Sequence, residues 1–306
     1  MSISDSPPAR VAIVGSTASG KSDVALAVAR RLGDVELVSV DSMQVYRGMD
    51  IGTAKPTGEE RAEVRHHCID LVEPTAEFTV GEFQPAYRHA IQQIAGCGHR
   101  ALLVGGTGLY HRVVIDDFDL PGEFPEVRAT LDDEPDTARL HARLADLDPV
   151  AADKMEPGNR RRVVRALEVT IGSGSPFSSF GPGLDSYPPS AVAQIGLRRP
   201  RAVVAERIER RVHAMIDAGL VGEVERLLTT GFSRSAGQAL GYKEIVEHVE
   251  GRIGKDEAIE MIITRTRQFA VRQERWFRRD PRVQWIDVEH DPVTEVAPAV
   301  IEALHV

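Results

Sequence analysis

Residues 11–29 read VAIVGSTASGKSDVALAVA, and the fold turns on this stretch. Residues 11–14 are a continuous apolar run, the pattern of a strand buried on both faces. Gly15, Ser16, Thr17, Ala18, Ser19, Gly20, Lys21 and Ser22 follow and satisfy GxxxxGK[ST] in full. A helical pattern then begins at Lys21 and runs to Leu32. Strand, glycine loop and helix in that order describe a phosphate-binding loop. Glycines let the backbone curl until successive N–H groups converge on phosphate oxygens. The helix adds its positive end, Lys21 a mobile charge and Ser22 a hydroxyl able to hold Mg²⁺. The motif leaves open whose phosphates are bound.

Outward from the loop, strands at 36–40 and 101–104 alternate with a helix at 83–95. Uninterrupted apolar strands alternating with helices imply an α/β fold, a parallel sheet covered on both faces. After residue 119 the pattern turns helical, broken by Pro and Gly, and ends in a Gly/Ser/Pro-rich stretch at 172–190. We read 1–118 as the first part of the core, 119–192 as a helical insertion, and 193–306 as the return to the core with C-terminal helices. AVAQIGL (191–197) is the returning strand. One long helix is expected at 202–228, shorter ones at 244–248 and 255–278, and a last strand at 283–286.

Composition narrows the class. The chain has 306 residues, 42% of them hydrophobic, enough to bury a large core. Cys68 and Cys97 are far apart, so neither a disulfide framework nor a zinc site is expected, and a cytoplasmic setting is. MSISDSPPAR at the start is polar, and no run is apolar enough for a membrane span. Net charge is −9 but unevenly spread. Residues 116–156 carry 13 acidic and 4 basic residues, whereas 198–280 carry 17 basic and 13 acidic. A basic C-terminal third therefore stands against an acidic middle.

Two further segments end strands where open parallel sheets place their ligands. In ELVSVDSMQVYRGMDIGTAKP (36–56), Asp41 closes the strand. It can ligate Mg²⁺, accept a proton, or simply cap the next segment. In ALLVGGTGLY (101–110), Gly105, Gly106 and Thr107 stand where many nucleotide hydrolases carry an acid for Mg²⁺ and water. The glycines permit close approach of a ligand but offer no carboxylate, which counts against hydrolysis.

With these segments in place, the chain resembles the bacterial tRNA dimethylallyltransferase (tRNA isopentenyltransferase) family. GSTASGKS (15–22) is similar to the family's loop, with Ser16 where many members have proline. SVDSMQVYRGMDIGTAKP (39–56) is the most specific match. LLVGGTGLY (102–110), RRVVRALEV (161–169), RIERRVHAMIDAGLVGEVERLL (207–228), ALGYKEI (239–245) and TRTRQFAVRQERWFR (264–278) follow in family order. The resemblance implies a P-loop NTPase-like parallel sheet core with a helical insertion that helps hold a tRNA anticodon arm. It implies transfer of a dimethylallyl group from dimethylallyl diphosphate to an adenosine amine beside the anticodon, with Mg²⁺ near Ser22. By resemblance Asp41 is the base, Arg211 and Thr17 contact diphosphate, and Thr107 is a further contact. Three segments are implied to grip tRNA: Asp41, Ser42, Met43 and Gln44; Arg161, Arg162 and Arg165; and Gln238, Gly241, Tyr242 and Lys243. No membrane or protein partner is implied, and with two scattered cysteines the chain looks like the form without a zinc finger.

Two readings are structural. Phe269, Trp276 and Phe277, interleaved with arginines, are expected in the core. His66 and His67 have no ligand-spaced partner and are expected in a loop or on the surface. Three alternatives to a tRNA prenyltransferase remain at this point: a small-molecule kinase, an enzyme prenylating free adenine nucleotides, and a non-catalytic RNA-binding module.

Overall fold

A computed structural model describes residues 10–181 and 183–305; most of the polar opening stretch lies outside them. The described strands are β1 (Arg10–Gly15), β2 (Val35–Val40), β3 (His66–His67), β4 (Arg100–Gly105), β5 (Val192–Arg198) and β6 (Val283–Asp287). They form one all-parallel sheet in the order β3-β2-β4-β1-β5-β6. This is the α/β core expected from the apolar runs.

Alternation along the strands sorts the core into two layers. Val11, Ile13, Leu37 and Leu102 face the helices Lys21–Leu32 and Pro292–His305, meeting Val24, Val28, Val296 and Val300. Ala12, Val38, Val40 and Leu103 face the other way, toward Phe83, Tyr110, Ile208 and Ile262 of four further helices. Those are Val80–Gly96, Gly108–Ile115, Arg201–Asp217 and Lys255–Phe277.

The described residues fall into two compact units, one within Met1–Asp116 and Pro189–Val306, the other Asp117–Pro188. The second is helical. Pro125–Asp132, Thr137–Leu147 and Arg160–Ser173 pack through Leu131, Leu140, Leu144, Val163 and Leu167. In the same unit the buried Glu168 accepts from Phe124 N at 2.9 Å, Arg165 at 2.9 Å and Arg128 at 3.2 Å.

Several sequence expectations need correction. The single helix at 202–228 is two, Arg201–Asp217 and Leu220–Leu228, because Gly219 turns left-handed at φ 99° between them. The helices Gly58–Glu63 and Pro292–His305 and the two-residue β3 were not foreseen. His67 is not a surface residue: it is 7% exposed in β3, with Nε2 against the buried Glu36 carboxylate.

The 41–56 segment is pinned by two buried charges. Lys55 Nζ donates to Tyr46 O, Asp50 and Asp70 at 2.5, 2.9 and 2.6 Å. Glu223, 3% exposed, accepts from the N–H groups of Asp50 (3.1 Å) and Ile51 (2.9 Å) and from the Tyr242 hydroxyl at 2.6 Å. Glu223→Ala leaves these buried donors unpaired and is expected to cost about 3 kcal/mol in urea unfolding, against about 1 kcal/mol for Tyr242→Phe. Stability of Glu223→Ala within experimental error of wild type would show that the carboxylate does not hold the segment.

Candidate active site

The ends of β2, β4 and β1 lie side by side, in register at Val40↔Gly105 and Val104↔Ile13. Three loops therefore leave the sheet together: 41–44, 106–107 and the phosphate loop. They open onto a cleft of about 620 Å³ whose lining includes Thr17, Lys21, Asp41, Gly106, Arg211 and Phe269.

The phosphate loop is braced from several sides. Lys21 Nζ donates to Gly15 O at 3.0 Å and Ser16 O at 2.7 Å. Arg207 Nε reaches Ala18 O at 2.8 Å, Arg199 Nε reaches Ser19 O at 3.1 Å, and Arg211 Nη2 donates to Thr17 Oγ1 at 2.6 Å. Lys21 and Ser22 begin the Lys21–Leu32 helix, so their N–H groups have no intrahelical acceptor and can meet an anion. Burial, and then the neighbouring Arg211 guanidinium, push the Lys21 ammonium down to about 7, against the opposing pull of Asp41.

Asp41 caps the turn that follows β2 and also faces the cleft. Its Oδ1 accepts from Met43 N at 2.8 Å, capping the turn, while the side chain lines the cleft. Burial raises its carboxyl above the ordinary aspartate range, opposed by the Met43 and Gln44 N–H groups and by Lys21 and Arg211. Gln44 bridges Ser39 Oγ (2.7 Å) and the carbonyls of Thr53 and Ala54 (both 3.2 Å), so its amide is committed within the loop. Thr107 Oγ1 accepts from Ser42 N at 3.2 Å.

Other candidates are placed elsewhere. Arg161 and Arg162 are exposed on the helical unit, and Arg165 is half-buried against Glu168 and Pro121 O. Gln238 and Lys243, joined at 3.2 Å, line a separate shallow depression with Arg234 and Arg252. Tyr242 is fully buried and Gly241 is buried beside it. The Tyr242 side chain is thus a support for residues 50–52 rather than a surface for RNA, because Glu223 captures its hydroxyl. Of the helix aromatics expected in the core, Phe277 is fully buried, Trp276 half-buried against Gly108, and Phe269 reaches the cleft.

Sequence reasoning missed Arg199, Arg207 and Gln273. Gln273 Oε1 accepts from Thr17 N at 2.8 Å and Nε2 donates to Gly106 O at 2.9 Å. The available signal was its place on the buried face shared with Thr266, Ala270 and Phe277, where a polar residue needs partners.

Among the described residues no cluster of three or more His, Cys, Asp or Glu is placed to hold a metal ion. The donor at hand is the exposed Ser22 hydroxyl. A lone hydroxyl suits Mg²⁺, which keeps several waters and takes its remaining oxygens from substrate phosphates.

Residues 44–280 match the family model described as IPP transferase, and residues 9–78 match that of isopentenyl transferase. The chain belongs to the IPP transferase family. It is 47% identical over 287 residues to the tRNA dimethylallyltransferase of Pseudarthrobacter chlorophenolicus, covering 92% of this chain and 94% of that protein. It is similar to the full-length tRNA isopentenylpyrophosphate transferase of Bacillus halodurans, with 39% identity, a TM-score of 0.69 and 96% of each chain covered. A eukaryotic dimethylallyltransferase acting on tRNA shares the fold at 24% identity and a TM-score of 0.80, over 95% of this chain and 77% of that one. In this IPP transferase family member, glycines rather than an acid close β4, and Lys21, Arg207 and Arg211 of the cleft all bond to phosphate-loop atoms.

The Lys21 shift has a measurable consequence. Below about 7 the ammonium is charged and attracts an anion; above it, binding must first take up a proton. Inorganic diphosphate affinity, measured by calorimetry for wild type and Lys21→Met, should differ most at pH 6, and the gap should narrow toward pH 9. A gap constant over that range would contradict the shift.

Proposed function

We propose that this protein transfers a dimethylallyl group from dimethylallyl diphosphate to N6 of adenosine 37, immediately 3′ of the anticodon, in tRNAs reading codons that begin with U. Diphosphate is released. The carrying observation is the meeting of Asp41, Thr17, Lys21 and Arg211 at one cleft. The names of the relatives supply the acceptor class: tRNA.

The amine of adenine is a weak nucleophile because its lone pair is delocalised into the ring. As that pair forms the bond to the allylic carbon, the carbon–oxygen bond breaks and its electrons leave with diphosphate. The nitrogen becomes acidic only then, and Asp41 takes the proton. A carboxylate whose pKa is raised by burial is a better acceptor than one in water, provided that it is ionised at working pH.

Diphosphate gathers charge as it departs. Lys21, the Arg211–Thr17 pair and the start of the Lys21–Leu32 helix are fixed in place to meet it. Ser22 and diphosphate oxygens would hold Mg²⁺, which contributes further charge neutralisation.

The acceptor base must leave its stack to reach Asp41. Ser42 and Met43 form the rim of the adenine site, with Gln44 holding that rim from within. Exposed Arg161 and Arg162, with Gln238 and Lys243, grip the RNA backbone. The setting is cytoplasmic, where tRNA is found; among the described residues no helix is long and apolar enough to cross a membrane.

Asp41→Ala is expected to lower transfer by about 10²–10⁴-fold while tRNA and inorganic diphosphate still bind. A rate within threefold of wild type would remove Asp41 from the chemistry. Arg161→Ala and Arg162→Ala should each weaken tRNA binding and lower the slope of log affinity against log salt by about 1. An unchanged slope would make these arginines bystanders.

A further inference from the structure

The strand order makes the 106–107 loop the spacer between the other two. β4 lies between β2 and β1, so Gly106 and Thr107 stand between the Asp41 loop on one side and the phosphate loop on the other. Each side is cross-linked to this spacer by one side chain. Toward Asp41, Thr107 Oγ1 accepts from Ser42 N at 3.2 Å. Toward the phosphate loop, Gln273 joins Gly106 O (2.9 Å) to Thr17 N (2.8 Å).

The glycines are required by this arrangement. A Cβ on Gly105 would overlap the Val40 carbonyl, and one on Gly106 would overlap the Gln273 amide nitrogen. The strand end and the loop are thus stripped of side chains where Val40 and Gln273 approach them. Gln273 is itself immobilised: it is 6% exposed, and one turn on Phe277 packs with Val14, Val283 and Trp285.

Glutamine is the side chain this bridge calls for. Thr17 offers a donor and Gly106 an acceptor, so the bridge needs one acceptor and one donor on the same planar end. Glutamate keeps the first bond but turns an oxygen toward the Gly106 carbonyl. Methionine keeps the length and loses both bonds. Thr17 is also the residue whose hydroxyl takes Arg211, so Gln273 and Arg211 orient it from two sides.

We propose that Gln273 is a positioning residue which sets the distance between the leaving group at Thr17 and the proton acceptor Asp41. This rests on the transfer reading given above. The bond between nitrogen and carbon forms between those two groups, so a shift of one loop against the other misaligns the reacting atoms while leaving each substrate's outer contacts intact. Misplacement by about 1 Å is enough to cost about 10²-fold in rate.

The test compares wild type, Gln273→Met and Gln273→Glu in dimethylallyl transfer to tRNA at saturating substrates. tRNA affinity, inorganic diphosphate affinity and thermal unfolding are measured on the same preparations. Both variants should lose about tenfold or more in kcat with tRNA affinity within twofold of wild type. Combining Gln273→Met with Thr107→Val should cost little beyond the worse single change, since both break the same spacer. If Gln273→Met does not fold, Gln273→Glu, which keeps shape and one bond, decides. A kcat within twofold of wild type in a folded variant overturns the proposal, as does a loss matched by equal loss of tRNA binding. Should wild type itself transfer no dimethylallyl group, the reading of function fails. The bridge is then judged on amide hydrogen exchange at Thr17, whose N–H loses its Gln273 acceptor and should exchange about threefold faster or more in Gln273→Met; an unchanged rate overturns it.

Discussion

Parallel pairing of β2, β4 and β1, with Val40 opposite Gly105 and Val104 opposite Ile13, is the constraint on which the cleft depends. Strands in this register sit about 4.8 Å apart, so the loops at their ends meet at a separation that the sheet dictates. The phosphate loop, the glycine loop and the Asp41 loop inherit their order from it. Side chains then finish what the sheet begins: Gln273 and Thr107 tie neighbouring loops together, while Lys55 and Glu223 hold the far end of the 41–56 segment.

Electrostatics at the cleft run against the chain as a whole. The protein carries a net charge of −9, yet Lys21, Arg207, Arg210 and Arg211 all line the cleft, with Asp41 among them. Burial disfavours the charged Lys21 ammonium and the neighbouring Arg211 guanidinium adds repulsion, so it drops to about 7. An anion bound among these groups would relieve that repulsion. The same burial raises the Asp41 carboxyl, so one environment favours an anion and would suit Asp41 to the proposed proton transfer. A cleft organised in this way is suited to a reaction in which negative charge leaves on one side and a proton leaves on the other.

How much was legible in the sequence follows from how local each signal is. The apolar runs that became β1, β2, β4 and β5, and the helix beginning at Lys21, are short-range patterns and were readable. The Gly219 break sits inside a continuous helical period, and its left-handed turn shows only in the backbone. β3 is two residues long, too short for any period, so His67 read as a surface residue until its pairing with Val38 and Glu36 was visible. At the site, Lys21 and Asp41 were marked by their places at a motif and a strand end. Gln273 was not, because it is separated from Thr17 by 256 residues and only the fold brings them together. Tyr242 shows the converse: the family resemblance implied an RNA contact, and a buried carboxylate from another helix claims its hydroxyl.

On the proposed function, this cleft holds the diphosphate of an allylic donor and delivers its carbon chain to an adenine amine in tRNA. The most direct measurement gives purified protein labelled dimethylallyl diphosphate and Mg²⁺ with one of three acceptors: a tRNA with adenosine 36 and adenosine 37, the same tRNA with guanosine at 37, or adenosine monophosphate. Nucleoside analysis should find label on adenosine 37 of the first acceptor alone, with one diphosphate released per transfer. Label appearing on adenosine monophosphate instead, or no label on any acceptor, would contradict the account.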